Sequence, residues 1–332
     1  MTKLILHIGM GKTGTSSIQD ALRAGGKELI AQNAHYLGMW LDAIDPAYKG
    51  HAGFMHFYDQ DEETLISAAK SFSDFLQRYS ETTGVETFIL SNEAFFGPAK
   101  KISPFLKALQ VEIDLCLIAY IRDPAKWLPS AFTQWELYHK QHKGPIQSFP
   151  ERAKTLIGQY NAIKVWIEDF SEVLIVRKHD TTVDVVKDFA LTCNIGIPGL
   201  SERALERAEP AETLLRAAFN NRYEQAVFPE TFNNFVLPAS RKVAALDDLA
   251  QICFPNDQIN EVIEERRPLF EYMRNRLGPE FDFLSGQTEP KAMPDPDKLQ
   301  KRLIDYLVEI TFLQAERIKR LENQMQELTK EK

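Results

Sequence analysis

Lys3-Leu-Ile-Leu-His-Ile-Gly9-Met-Gly11-Lys12-Thr13-Gly14-Thr15-Ser16-Ser17-Ile-Gln19 is the stretch on which the fold turns. Lys3 to Ile8 reads as a short apolar strand, and it runs into glycines. Gly9, Gly11 and Gly14 allow backbone conformations closed to other residues, so several N–H groups can converge on one point. Thr15 and Ser16 can open a helix, whose first turn offers unpaired N–H groups and the positive end of its dipole. Lys12 adds a full charge. A strand, a glycine turn with one lysine and a helix start, in that order, suit a phosphate-like dianion. The plainer reading is a turn joining strand to helix with a solvated lysine.

The loop is shorter than that of the nucleotide triphosphatases, G-x-x-x-x-G-K-[ST]. Counting back from Gly11-Lys12-Thr13, the first glycine of that motif would fall on Leu6.

Outward from the loop, strands and helices alternate. Glu86 to Ser91, Ile113 to Ile121 and Glu172 to Val176 read as strands, with Ala34 to Gly38 a weaker one. Thr15 to Ala24, Glu62 to Tyr79, Lys101 to Leu109, Ala125 to His142, Arg152 to Asp169 and Val183 to Thr192 carry helical patterns. The alternation predicts an α/β fold with a parallel sheet flanked by helices. Ile113 to Ile121 is almost continuously apolar, as a central strand covered on both faces should be. Ligands of such sheets lie beyond the carboxyl ends of the strands, which is where the lysine loop falls.

Two further groups fall at strand ends. Arg122-Asp123-Pro124 follows the strand ending at Ile121, and Ser130 comes about two helical turns later. An arginine fork with a hydroxyl makes a second anion site, although Arg-Asp-Pro also serves simply as a helix cap. Two anion sites on one sheet edge point to a ligand with two separated phosphate groups. Glu93 stands just past the strand that ends at Ser91. It is either a helix-start carboxylate satisfying backbone N–H groups or a general base, with Phe95 and Phe96 beside it to desolvate it. His51 and His56, in Gly50-His-Ala-Gly-Phe-Met-His56, are rival bases on an acceptor wall to which Trp40, Tyr48, Phe54 and Phe57 would contribute rings. Each is equally readable as a surface histidine or a core aromatic.

In this order the three pieces resemble the sulfotransferases that use 3′-phosphoadenosine 5′-phosphosulfate (PAPS), and among them the bacterial branch, within the wider P-loop superfamily. The resemblance covers about residues 1–195. It implies that Gly9, Gly11, Lys12, Thr13, Gly14, Thr15 and Ser16 hold the 5′-phosphosulfate, that Arg122 and Ser130 hold the 3′-phosphate, and that Glu93 takes the acceptor's proton; His51, from the reading of its own segment, is the alternative base. It also implies transfer of a sulfuryl group to a hydroxyl or amine, release of adenosine 3′,5′-bisphosphate, and no metal. The family's late Arg-Lys-Gly element is matched only by Arg241-Lys242, without the glycine. The resemblance implies a small-molecule, carbohydrate or lipid acceptor. Two other functions fit a phosphate loop: a small-molecule or nucleotide kinase using ATP and magnesium, and a non-catalytic nucleotide-binding interaction protein.

The chain has 332 residues, 44% hydrophobic and 26% charged, an ordinary globular composition. Acidic residues outnumber basic ones 47 to 39, for a net charge of -8, which argues against nucleic acid as a partner. No apolar run approaches the ~20 residues of a membrane span. Met1 stands two residues before the first strand, so no signal peptide is expected. Cys116, Cys193 and Cys253 are too scattered for a metal site or a disulfide framework. A cytoplasmic setting is expected.

Three regions are expected: a PAPS-binding core at 1–195, a helical acceptor-side or lid subdomain at 196–290, and an amphipathic helix at 297–330. Phe219, Tyr223, Phe228, Phe232 and Phe235 cluster in the second. Gly286 to Pro296 reads as a linker. In the terminal helix Leu299, Leu303, Tyr306, Ile310 and Leu313 form one stripe, and Ile318, Leu321, Met325 and Leu328 resume it after a five-residue skip. Such a helix either packs on its own domain or forms a coiled coil with a second chain, making a homodimer.

Overall fold

The apolar run that opens the chain is strand β1 (Lys3–Gly9), and it lies at the centre of a five-stranded sheet in a computed structural model. The structure describes residues 2–197, 210–234, 253, 259–285 and 294–330. The chain divides into two compact units. One comprises Met1–Trp127, Ile157–Ala204 and Ile263–Gln287; the other comprises Leu128–Leu156, Leu205–Val262 and Thr288–Lys332.

In the first unit β1 is followed by α1 (Thr15–Ala24), α2 (Gly26–Ile30), β2 (Ala34–Gly38), α3 (Gly50–Tyr58), α4 (Glu62–Thr83), β3 (Thr87–Ser91), α5 (Ala99–Glu112) and β4 (Asp114–Arg122). Helix α6 (Pro124–Phe132) begins here and carries the chain into the second unit, where α7 (Phe149–Leu156) follows. The first unit resumes with α8 (Ala162–Phe170), β5 (Leu174–His179) and α9 (Val185–Cys193). Later come α10 (Pro210–Asn220), α11 (Pro229–Asn234), α12 (Ile259–Glu264), α13 (Arg267–Leu277) and α14 (Pro296–Lys330).

All pairings are parallel, in the order β2-β3-β1-β4-β5. Successive strands therefore lie first to one side of β1 and then to the other. That reversal opens a crevice at the carboxyl end of β1, where ligands of open parallel sheets bind. Ile5, Ile89, Ile118 and Tyr120 on one face of the sheet pack with Ile18 and Leu22 of α1 and Phe189 of α9. On the other face Phe88 meets Tyr79 of α4, ring to ring at 5.6 Å. Helix α4 is bounded as its sequence dictates. Asp61 accepts from the Thr64 N–H at 2.8 Å at its start, and Gly84 closes it in the left-handed conformation.

Three expectations shift. The last strand is Leu174–His179 rather than Glu172 to Val176. It stands at the sheet edge, where polar residues are tolerated and the apolar run misleads. The Gly50 to His56 segment is part of a helix, α3, which its two glycines concealed; Phe54 and Phe57 are core residues of it. The helix expected over Ala125 to His142 ends as α at Phe132 and continues as a π-helical turn, Thr133–Tyr138.

In the second unit that π-helical turn carries Glu136, which is fully buried. It accepts from the Gln147 N–H at 2.6 Å, pairs with Arg152 at 3.0 Å and bonds His142 Nε2 at 2.8 Å. Three partners offset the cost of burying a carboxylate. Phe219 meets Tyr223 and Phe232 at 5.1 and 5.2 Å, part of the expected aromatic cluster. Phe235, Arg241, Lys242 and residues 286–293 of the expected linker lie outside the described residues. Cys116, Cys193 and Cys253 are free thiols, and burial pushes all three above the usual thiol range. Among the described residues no helix is long and apolar enough to cross a membrane.

Candidate anion site at the carboxyl rim of the sheet

The lysine loop leaves β1 with backbone torsions that few sequences allow. Gly9 and Gly14 have φ of +92° and +86°, and Lys12 itself stands at +66°, a left-handed conformation uncommon outside glycine. Gly14 is the N-cap of α1, and no side-chain hydrogen bond caps that helix. Its first N–H groups are therefore left to a ligand or water.

The loop carbonyls are held in place, one from within the loop and two from outside it. Thr13 Oγ1 donates to the Met10 oxygen at 2.5 Å, Trp127 Nε1 to the Gly11 oxygen at 2.8 Å, and Arg122 Nη1 to the Lys12 oxygen at 3.0 Å. In a trans peptide the N–H points opposite to its C=O. Fixing these three oxygens therefore turns the N–H groups of Gly11, Lys12 and Thr13 the other way. The Thr15 hydroxyl, in the first turn of α1, is buried without a hydrogen-bond partner. Convergent N–H groups, an uncapped helix start and an orphaned hydroxyl fit a phosphate or sulfate group. Lys12 and Gly14 are half-buried, Thr13 is fully buried, and Ser16 is exposed at the helix start.

Glu93 stands against this loop. A methyl group added to Gly9 would lie 2.7 Å from Glu93 Cβ and 2.8 Å from its Cα, so the two backbones touch. The parallel register sets this up: His7 pairs with Ser91, and the Asn92 N–H bonds the His7 oxygen at 2.9 Å. Asn92, not Glu93, takes the capping role, accepting from the Ala94 N–H at 2.9 Å, which leaves the Glu93 carboxylate for other work. Gln19 Nε2 donates to the Ser91 oxygen at 2.9 Å and reaches Glu93 Oε2 at 3.4 Å. Phe95 and Phe96 turn into the core, Phe95 against Phe54 at 4.6 Å, and Glu93 is half-buried.

Replacing Gly9 by alanine is expected to cost about 2–4 kcal/mol. Roughly 1–2 of that comes from an L-residue at positive φ and the rest from overlap with backbone that cannot swing aside. Urea unfolding of the two proteins measures it, and an unchanged midpoint contradicts the contact.

Arg122 is buried at the end of β4. Its own carbonyl accepts from Tyr160 Oη at 2.5 Å, and Tyr160 stacks edge-on against Trp127 at 5.3 Å. The junction from Arg122 to Trp127 thus braces the loop from below. Ser130 is half-buried, two turns along α6, in the second unit. His51 and His56 lie on the exposed side of α3, where His56 bonds Gln60.

Sequence reasoning missed three residues. His179 pairs with Arg122 in register. Burial, and then the Arg122 charge, push its imidazole down to about 4, so it is neutral at pH 7. Tyr36 in β2 holds a buried hydroxyl without a partner. Burial pushes that phenol up to about 12, Arg23 opposing and Asp20 and Glu93 adding to the rise. Trp127 completes the set. Its apolar helical setting, and the misplaced end of β5, hid two of the three.

No family model matches the chain, and no curated protein matches its sequence. Among solved structures the chain is similar to the Sulfotransferase Domain from the Curacin Biosynthetic Pathway, at 11% identity and a TM-score of 0.36, over 80% of this chain and 98% of that one. It is also similar to the tRNA delta(2)-isopentenylpyrophosphate transferase of Staphylococcus epidermidis, at 10% identity and a TM-score of 0.20, over 81% of this chain and all of the other. Both likenesses are distant.

Proposed function

We propose that the chain is a sulfotransferase that uses PAPS and transfers to a hydroxyl or amine. One observation carries the reading. The backbone of Glu93 rests on Gly9, so a carboxylate and the loop lysine share one rim of the sheet. A proton acceptor on one side of the transferred group and a cation on the other is what an in-line displacement requires.

When bound, PAPS supplies the sulfuryl group, and adenosine 3′,5′-bisphosphate is what remains of it. The N–H groups of Gly11 to Thr13 and of the first turn of α1 hold its anionic oxygens in fixed directions. Lys12 would neutralise the charge that develops on the leaving group. Glu93 takes the proton from the acceptor, and Gln19 orients its carboxylate. Arg122 offers its charge to the second phosphate while bracing the loop. The part of Ser130 rests on the sequence resemblance alone.

Calorimetric titration with adenosine 3′,5′-bisphosphate and with ATP, each with and without magnesium, tests the proposal. The bisphosphate is expected to bind more tightly than ATP and to need no metal. Tighter binding of ATP with magnesium overturns the reading in favour of a kinase. Binding of the bisphosphate without any sulfuryl transfer from PAPS to a panel of hydroxyl and amine acceptors favours a non-catalytic nucleotide-binding protein.

A further inference from the structure

Helix α14 has two apolar faces, and one of them is exposed. On the face toward its own unit Leu303 is buried and Tyr306 and Ile310 are half-buried, where α14 packs on α10. Around the helix from these, Ile304, Leu307, Ile318, Leu321 and Met325 are 52%, 48%, 55%, 60% and 68% exposed. The five-residue skip in the sequence pattern marks the crossing from one face to the other.

The exposed set obeys one unbroken heptad. Ile304, Thr311, Ile318 and Met325 take the a positions and Leu307, Gln314 and Leu321 the d positions, and Leu328 continues the spacing in the sequence. From Ile304 to Met325 the stripe is about 32 Å long. Isoleucine at a with leucine at d favours two parallel strands, and a polar layer, here Thr311 and Gln314, fixes register. Arg317 falls at g and Glu322 at the following e, opposite charges that meet across a parallel, in-register pair of identical helices. Val308, at e, flanks the seam; Phe312 and Leu313 lie outside it.

We propose that α14 pairs in parallel and in register with the same helix of a second copy of this chain. The charge pattern selects this occupant: Arg317 of each copy faces the partner's Glu322, so the pairing is satisfied twice, and a shifted or reversed helix loses it.

Sedimentation equilibrium of the full chain is expected to show a dimer at micromolar concentration. Leu321→Glu, on an exposed side chain, is expected to give a monomer with unchanged far-ultraviolet circular dichroism. Arg317→Glu weakens dimerisation about tenfold, through two repulsive pairs, and the double variant Arg317→Glu, Glu322→Arg restores it. Leu321→Cys gives a covalent dimer on mild oxidation. A monomer at every concentration, a dimer indifferent to Leu321→Glu, or a monomer that binds anionic phospholipid vesicles through α14 overturns the proposal.

Discussion

Lys12→Ala is expected to lower turnover by about 100- to 1,000-fold, a loss of roughly 3–4 kcal/mol of transition-state stabilisation, the scale seen when one charge-stabilising donor is removed from an active site. The side chain is half-buried and belongs to a loop whose backbone oxygens are held by Thr13, Trp127 and Arg122. Alanine at φ of +66° carries the same backbone penalty as lysine. Folding should therefore survive, with the urea midpoint close to that of the parent. Single-turnover rates measured beside the unfolding curve separate chemistry from stability. A variant that folds and turns over normally removes the leaving-group role from Lys12.

Glu93→Gln is expected to slow the same step by about 100- to 10,000-fold, the usual contribution of a positioned general base, while the bisphosphate dissociation constant stays within a factor of about three. Glutamine preserves the volume, the contact of its backbone with Gly9 and a partner for Gln19. Only the capacity to take a proton is lost. Should this variant turn over at the parental rate, the base lies elsewhere, and His51→Gln becomes the next comparison.

Much of the sheet was legible because its signals are local. β1, β3 and β4 are apolar, β2 falls where its weaker pattern placed it, and the glycines and hydroxyls after β1 specify the turn and α1 together. β5 was displaced because an edge strand need not be apolar: Arg177, Lys178 and His179 extend it where the hydrophobic run has stopped. Glu93 and Arg122 could be placed at the rim because strand ends are visible in the sequence. Trp127 could not, since its bond to the Gly11 oxygen spans 116 residues and no local spacing announces it. In α14 the sequence shows the apolar positions but merges two faces into one stripe. Only burial separates Leu303 from Ile304.

The three side-chain bonds on the Met10, Gly11 and Lys12 oxygens also bear on the energetics of capture. Freezing backbone costs about 1–2 kcal/mol per residue. Here that loss of freedom is settled when the chain folds, before any anion arrives. A dianion bound there, as proposed, would meet a loop already set, and no cost of loop ordering would dilute its affinity.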